Sequence, residues 1–381
     1  MTNGKKDILI IMGRYLPGYK DGGPVRSIQN LVDYLGEEYN FRILTCDRDH
    51  GDTQAYPNIK VNDWNHIGNA QVYYVPPKGF GYKIIRTLTN QADLVYVCGC
   101  FNDYAINTLL LKRLGMIKKP VVVAAMGLFS PMEFKLKYRK KKLFTTIFNL
   151  TGMFKNIYWS ATTQMEVQEI NQQIKIRNNY FIAEDLPRKV DNEIIIKPKE
   201  VGKLKVVWIS RIAPKKNLLG AIKILQHVKS QIEFTIYGPV HVPEYWNMCL
   251  EELNKLPANI EWRYEGDVES ELVVASLKKH HVFLFPTLGE NYGHVIQEAL
   301  SAGCAAVISD QTPWECFEEN GFGHIFSVNE VTKFIEVIEN YAEMEQMQYQ
   351  IVSFKAFNYV KDKSIKASNN TGYRKIFNVF H

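Results

Sequence analysis

Apolar residues in this chain come in short runs, each closed by glycine or polar turn residues, with segments of helical periodicity between them. In the first half the runs are Asp7–Met12, Phe41–Thr45, Val72–Val75, Leu94–Val97, Val121–Ala125, Ile157–Ala161 and Tyr180–Ile182. In the second half they are Val206–Ser210, Glu233–Tyr237, Ile260–Tyr264, Val282–Pro286 and Ala305–Ser309. Helical spacing is read over Val25–Leu35, Tyr104–Leu114, Asn217–Val228, Tyr245–Leu256, Glu269–Lys279, Tyr292–Ala302, Val331–Tyr349 and Lys366–Phe380. Near-continuous apolar strands alternating with helices predict parallel sheets covered on both faces. The polar, proline-containing stretch Glu184–Lys203 breaks the alternation and reads as a linker. The expected class is α/β, with two doubly wound parallel-sheet domains: residues 1–190, residues 200–360, and a tail, 361–381, that packs back on the first as a helix. Two tandem α/β domains leave a cleft between them, a preferred ligand site.

The most informative stretch is Val282–Trp314, VFLFPTLGENYGHVIQEALSAGCAAVISDQTPW. It reads as strand, turn, helix and strand, with Gly303 ending the helix. A helix N-terminus at the carboxyl end of a strand is where open α/β sheets bind ligands, and its free N–H groups suit an anion such as phosphate. Glu290 stands at the mouth of the turn. Glu298 follows eight positions later among Val295, Ile296, Ala299 and Leu300. A carboxylate with so many apolar neighbours needs a partner or a function. After the strand Val206–Ser210 come Arg211 and Lys216, five positions apart at a helix start. Facing the Glu290 loop, these cations would suit a diphosphate, with arginine gripping it bidentately and lysine adding a point charge. A solvated basic loop is the competing reading.

Near the N-terminus, Gly22-Gly23-Pro24 opens the first helix, and two glycines let backbone approach a ligand closely. Asp47-Arg48-Asp49 has the form of a metal-binding Asp-x-Asp, but lacks supporting ligands and is read as chance. Residues 135–142, KLKYRKKK, carry six basic side chains, followed by Leu143, Phe144, Ile147, Phe148, Leu150 and Phe154 at helical spacing. The apolar stripe is read as packing on its own domain. The cluster around Lys140, Lys141 and Lys142 is a candidate surface for anionic lipid or an acidic acceptor. No nucleic-acid motif or stacking platform accompanies it.

Length and composition change this picture little. The 381 residues, 46% hydrophobic and 23% charged, are ordinary for two globular domains. A net charge of +6 is compatible with anionic ligands without identifying one. The five-residue apolar run before Gly13-Arg14 is too short for a signal peptide, and no stretch approaches the ~18 apolar residues of a membrane span. The six cysteines are expected to be reduced thiols of a cytoplasmic protein, and Cys98-Gly99-Cys100 is spaced too closely for the usual zinc patterns. No Gly-x-Gly-x-x-Gly turn follows the first strand of either half, which discounts a nicotinamide oxidoreductase.

Glu290-Asn-Tyr-Gly-His-Val-Ile-Gln-Glu298 followed by Ala-Leu-Ser-Ala-Gly-Cys resembles the E-x7-E signature of retaining glycosyltransferases of family four. Arg211…Lys216 resembles that family's diphosphate loop, and Gly22-Gly23 its N-terminal glycine loop. Similarity is greatest to bacterial members that build surface polysaccharide such as capsule or O-antigen. The resemblance implies a GT-B fold, with two Rossmann-like domains facing a cleft, the donor nucleotide sugar in the second and the acceptor in the first. By the same resemblance, Arg211 and Lys216 hold the diphosphate and Glu290 contacts sugar hydroxyls, forming the catalytic set. Glu298 takes the ribose, while Gly22, Gly23, Gly238, Asn291, Tyr292 and Gly293 complete the donor site. No cofactor or metal is implied.

The first domain departs from that pattern. Ala125-Met126-Gly127 stands where relatives resemble Pro-Arg-Gly, Asp185 where Asn is expected, and Cys98–Asp103 differs from an Asn-Ser-Phe-Phe-like loop. The expected function is transfer of a hexosyl or related sugar from a UDP- or GDP-linked donor to a glycan or lipid-linked acceptor. This would take place in the cytoplasm, with peripheral contact at the inner membrane face. The alternative is a nucleotide-sugar-binding partner protein with little or no transfer activity.

Overall fold

The structure is a computed structural model that describes residues 4–135, 137–176, 178–190, 193–369 and 372–380. Leu136, Asp191, Asn192, Asn370, Thr371 and His381, which fall within expected segments, lie outside the described residues. The chain divides into two compact units, Met1–Leu186 with Ala367–His381, and Pro187–Lys366. The division thus falls near the start of the expected linker, whose remainder belongs to the second unit, as do residues 361–366.

The first unit holds an eight-stranded sheet of β1 (Asp7–Ile11), β2 (Asn40–Cys46), β3 (Trp64–Ile67), β4 (Ala70–Val75), β5 (Leu94–Cys98), β6 (Val121–Ala124), β7 (Tyr158–Ala161) and β8 (Tyr180–Ile182). The order is β3-β4-β2-β1-β5-β6-β7-β8, parallel except for β3 against β4. Alternation of side chains splits the strands between two cores. Leu9, Ile11, Val95, Val97, Val121 and Val123 enter one, while Ile8, Ile10, Leu94, Tyr96 and Val122 enter the other. Both faces are apolar because both are covered, which is why the strands read as continuous runs. Edge strand β3 escapes that reading, because Trp-Asn-His-Ile is mostly half-exposed and carries no apolar run. The terminal helix Gly372–Asn378 seats Phe377 against Tyr39, Phe41 and Tyr96.

The second unit holds six parallel strands, β9 (Lys203–Ile209), β10 (Gln231–Tyr237), β11 (Ile260–Tyr264), β12 (Val282–Phe285), β13 (Ala305–Ser309) and β14 (Gly323–Phe326), ordered β11-β10-β9-β12-β13-β14. The chain winds outward from β9 to β11, then crosses back to β12 and winds outward the other way. Neighbours β9 and β12 therefore flank the topological switch point, where the loops after both strands diverge and leave a crevice.

Three helical expectations change, the first being Lys366–Phe380, which is divided between the helices Gln346–Asn369 and Gly372–Asn378. Glu269–Lys279 is a 3₁₀ turn, Ser270–Leu272, followed by the short helix Val273–Leu277. Val331–Tyr349 is two helices, Val331–Glu343 and Gln346–Asn369, with Met344 extended between them. The second starts afresh because the Glu345 N–H donates to Gln348 Oε1 (2.9 Å), one half of a capping arrangement.

Candidate functional site

At the switch point of the second unit, short polar stitches hold two loops together. Asn217 sits at φ 53°; its Oδ1 accepts the Gly220 N–H at 3.1 Å and caps the helix Leu218–Leu225. Its Nδ2 donates to Pro286 O, just beyond β12, at 2.7 Å. Lys215 O receives both Leu288 N–H (2.8 Å) and Thr287 Oγ1–H (3.1 Å). With the backbones locked, the ammonium of Lys216 in the 3₁₀ turn Pro214–Lys216 pairs with Glu290 Oε1. Lys216 is buried. That burial pushes its pKa down, Glu290 opposes the shift, and the nearby charges of Lys215 and Arg211 add to it. Arg211 is half-buried and has no ion-pair partner among the described residues. One guanidinium and one carboxylate-held ammonium therefore stand in the loop after β9, with the carboxylate supplied by the loop after the neighbouring strand β12.

The Glu290 loop leads into the helix His294–Ser301, two residues later than the sequence predicts, so Tyr292 belongs to the loop. Gly293 precedes it at φ 77°, a conformation that only glycine adopts without strain. A Cβ there would lie 2.8 Å from Ile296 Cδ1. Glu290 N–H donates to Gln311 O at 2.9 Å, and Trp314 Nε1–H to Tyr292 O at 2.6 Å. Lys363, from the helix Gln346–Asn369, places its Nζ 4.1 Å from the Trp314 ring centre and 5.5 Å from that of Tyr292. Asn291 and Tyr292 are half-buried on this braced loop.

Glu298 lies on the same helix but is buried, with Oε1 3.8 Å from Arg188 Nη1. Arg188 is fixed in turn. Its N–H donates to Gln297 Oε1 (3.0 Å), its carbonyl accepts from Gln297 Nε2 (3.1 Å), and Nη1 donates to Ser270 O (2.9 Å). The carboxylate thus has a basic partner that the sequence reading missed. The available signal was the basic residue directly after Leu186-Pro187, at the start of the linker. Gly238 closes β10 at φ 128°, where a Cβ would fall 1.8 Å from Ser210 O. Its N–H donates to Gly266 O (2.8 Å) and its carbonyl accepts from Tyr264 Oη–H (2.8 Å).

In the first unit, Gly22 takes φ 67° immediately before the helix Gly23–Leu35. Asp49 Oδ2 pins that loop by accepting Tyr19 N–H (2.8 Å) and Lys20 N–H (3.0 Å), while Asp47 pairs with Arg48. The Asp-x-Asp thus has a local structural use. Met126 (φ 51°) and Gly127 (φ 73°) follow β6 in the left-handed region, held where the buried Glu166 accepts Gly127 N–H at 2.6 Å. Glu166 Oε2 also accepts Thr162 N–H at 2.6 Å.

The basic segment requires two corrections. Lys141 does not face outward with Lys140 and Lys142: its ammonium lies 5.4 Å from the Phe101 ring centre and donates to Glu133 O (2.5 Å). The apolar stripe of the helix Tyr138–Leu150 also divides. Phe144 and Phe148 pack inward toward Phe101 and Phe154, while Leu143, Ile147 and Leu150 are exposed. Their spacing of four and three residues puts them on one face. All six cysteines are free thiols, five of them buried.

Residues 190–354 match the family model of glycosyl transferases group 1. The second unit is a group 1 glycosyltransferase domain. The chain that carries it is a transferase of the glycosyl class. The domain contains Arg211, Lys216, Gly238, Glu290 and Glu298, whereas Arg188 and Lys363 lie just outside the matched residues.

Solved structures match nearly end to end. Alr3699/HepE from Anabaena, in complex with UDP and glucose, is 13% identical with TM-score 0.65 over 96% of this chain and 97% of its own. WaaG, a glycosyltransferase involved in lipopolysaccharide biosynthesis, is 12% identical with TM-score 0.65 over 98% and 99%. Sucrose-phosphate synthase from Thermosynechococcus elongatus is 10% identical with TM-score 0.67 over 98% and 99%. These give the chain the GT-B fold. No curated protein sequence matches the chain.

Proposed function

We propose that this transferase moves a sugar from a nucleotide-diphosphate donor to a glycan or lipid-linked acceptor, with retention at the anomeric carbon, in cell-surface polysaccharide synthesis. The Lys216–Glu290 pair beside Arg211, at the switch point of a group 1 domain, carries this reading. The UDP and glucose in HepE and the lipopolysaccharide role of WaaG support the donor class and the pathway type.

Arg211 and Lys216 neutralise the diphosphate as it leaves, so the donor set supplies its own positive charge and calls for no metal. Glu290 exchanges part of its hold on Lys216 for hydroxyls of the donor sugar. Glu298, oriented by Arg188, takes the ribose hydroxyls through its two acceptor oxygens. Incubation with UDP-, GDP- and ADP-sugars, with nucleotide release as readout, tests the reading. Release with at least one donor supports it, and neither binding nor release across the panel overturns it.

Met126 favours a second reading, a nucleotide-sugar-binding protein with little or no transfer. It stands where the family pattern has a polar residue, in a turn whose backbone is fixed. Donor binding without turnover against lipid-linked acceptors is its signature.

The reading includes peripheral contact with the inner membrane face. Among the described residues, no helix is long and apolar enough to cross a membrane. Leu143, Ile147 and Leu150 instead form an exposed apolar row, and Arg139, Lys140 and Lys142 are exposed on the same helix. That combination suits an anionic bilayer surface. Changing all three apolar residues to serine, or Lys140 and Lys142 to glutamate, should reduce sedimentation with phosphatidylglycerol vesicles while sparing donor affinity.

A further inference from the structure

Away from the donor loops, the second unit buries a lysine against a thiol. Lys197 lies in the extended segment before β9 and is 4% exposed; Cys304, in the turn between the helix His294–Ser301 and β13, is 0% exposed. The Lys197 Nζ is 3.6 Å from Cys304 Sγ and 3.5 Å from Tyr349 Oη. Tyr349 Oη–H is committed to His281 O (2.8 Å) and Gly303 O (3.2 Å), and the thiol faces Leu277 O (3.2 Å) and His280 O (3.3 Å).

Among the described residues no carboxylate pairs with Lys197. Burial pushes its pKa down and that of Cys304 up, so both neutral forms are favoured. Neighbouring His280 and His281 are held to about 3 and about 4, also by burial, and add no positive charge at neutral pH. A lysine hidden at this cost without a counter-charge is unusual for a purely structural residue. What the site does supply is a neutral amine and a thiol, held at bridging distance by a shell of carbonyls.

We propose that Lys197 and Cys304 form a covalent N–O–S bridge, a reversible oxidative modification of the second unit with dioxygen as oxidant. In the balanced step, Lys197 gives up one N–H hydrogen and Cys304 its S–H hydrogen. One atom of dioxygen is inserted between nitrogen and sulfur, and the other leaves with the two hydrogens as water. Nitrogen and sulfur are oxidised and dioxygen is reduced; four thiol equivalents of reductant, themselves oxidised to two disulfides, return the amine, the thiol and a second water. Dioxygen is small and apolar enough to enter a buried site. The bridge would tie the linker segment to the turn behind the donor helix, two positions 107 residues apart in sequence. That closure constrains the unfolded chain and raises stability.

The test uses the full chain, kept either in air-saturated buffer or under argon with dithiothreitol. Intact-mass spectrometry of the aerobic sample should show a gain of one oxygen less two hydrogens, reversed by dithiothreitol. Peptide mapping should link Lys197 to Cys304, and the aerobic sample should melt a few degrees higher. Cys304→Ala should abolish the mass change while a Cys316→Ser control keeps it. If Cys304 from the aerobic wild-type protein is recovered wholly as an alkylatable thiol, as a sulfinic acid or in a disulfide, the proposal is overturned.

Discussion

Lys216 and Glu290, 74 positions apart in sequence, meet as a buried ion pair where β9 and β12 run side by side. The contact depends on the stitches that flank it, since Asn217, Thr287 and Leu288 fix both backbones before either side chain is placed. Breaking a buried pair costs more than forming it gains, because the remaining charge is left desolvated. The pair is thus a stored charge arrangement; on the function proposed above, an arriving diphosphate recruits Lys216 and sugar hydroxyls satisfy Glu290 in exchange.

Lys216→Ala should lower kcat/KM by about 10²–10³-fold, the range for removing one charged donor from developing negative charge. Glu290→Gln should act more on donor-sugar selectivity, shifting the relative rates of two sugars on one nucleotide. Steady-state kinetics with thermal melts of both variants separates these effects from unfolding. Loss of activity in Lys216→Ala that matches its loss of folded protein would leave Lys216 only a structural role.

Lys363 braces the loop region of residues 290–314 from outside the matched group 1 segment. Its ammonium 4.1 Å from the Trp314 ring centre contributes on the order of 0.5–2 kcal/mol. Trp314 in turn holds Tyr292 O. Lys363→Met should weaken nucleotide binding about three- to tenfold and alter Trp314 fluorescence, and Lys363→Arg should restore both. Titration of UDP or GDP followed by intrinsic fluorescence checks this, and unchanged affinity in Lys363→Met rules the brace out.

The strands were legible because most of them are covered on both faces, so twelve of the fourteen among the described residues were read as short runs close to their observed bounds. Edge strands β3 and β14 were not, since half-exposed residues such as Trp64, Asn65 and His324 leave no such run. Arg211, Lys216 and Glu290 were visible as charges in loops after strands, and Glu298 as a carboxylate among apolar helix residues. Their partners were not, because Arg188 meets Glu298 across 110 positions of sequence and Lys363 reaches Trp314 from a distant helix. The inward turn of Lys141 was equally hidden: its neighbours Phe101 and Glu133 come from different elements, and eight consecutive residues rich in lysine look alike in sequence.

Two glycines should separate sharply. At Gly238 a Cβ would overlap Ser210 O at 1.8 Å, and φ 128° is closed to other residues, so Gly238→Ala should cost about 3 kcal/mol or more. At Gly23 a Cβ meets nothing within 4 Å and the residue opens a helix, so Gly23→Ala should be neutral or stabilise by up to about 1 kcal/mol. Urea unfolding of both variants checks the contrast. Equal midpoints would contradict the packing at the end of β10.

Asp185 gives the first unit a pH dependence. Its carboxyl accepts from Ser27 and Tyr373 on two different helices, and burial, with the charge of Glu166 adding to it, pushes its pKa up to about 7. The residue as a whole is only half-buried, so the energetic consequence is smaller than the shift alone suggests. Between the ordinary value of 3.8 and about 7 the folded chain keeps a proton that the unfolded chain releases. The contribution is therefore full at low pH, declines across that window and is lost once pH passes about 7. Asp185→Asn retains an acceptor for both hydroxyls and removes the charge. It should match the wild type at about pH 3, below the unfolded value, and exceed it at pH 8 by on the order of 2 kcal/mol. Denaturant melts of both proteins at the two pH values measure the difference, and a gap between variant and wild type that does not change with pH would show that the carboxyl stays ionised in the fold.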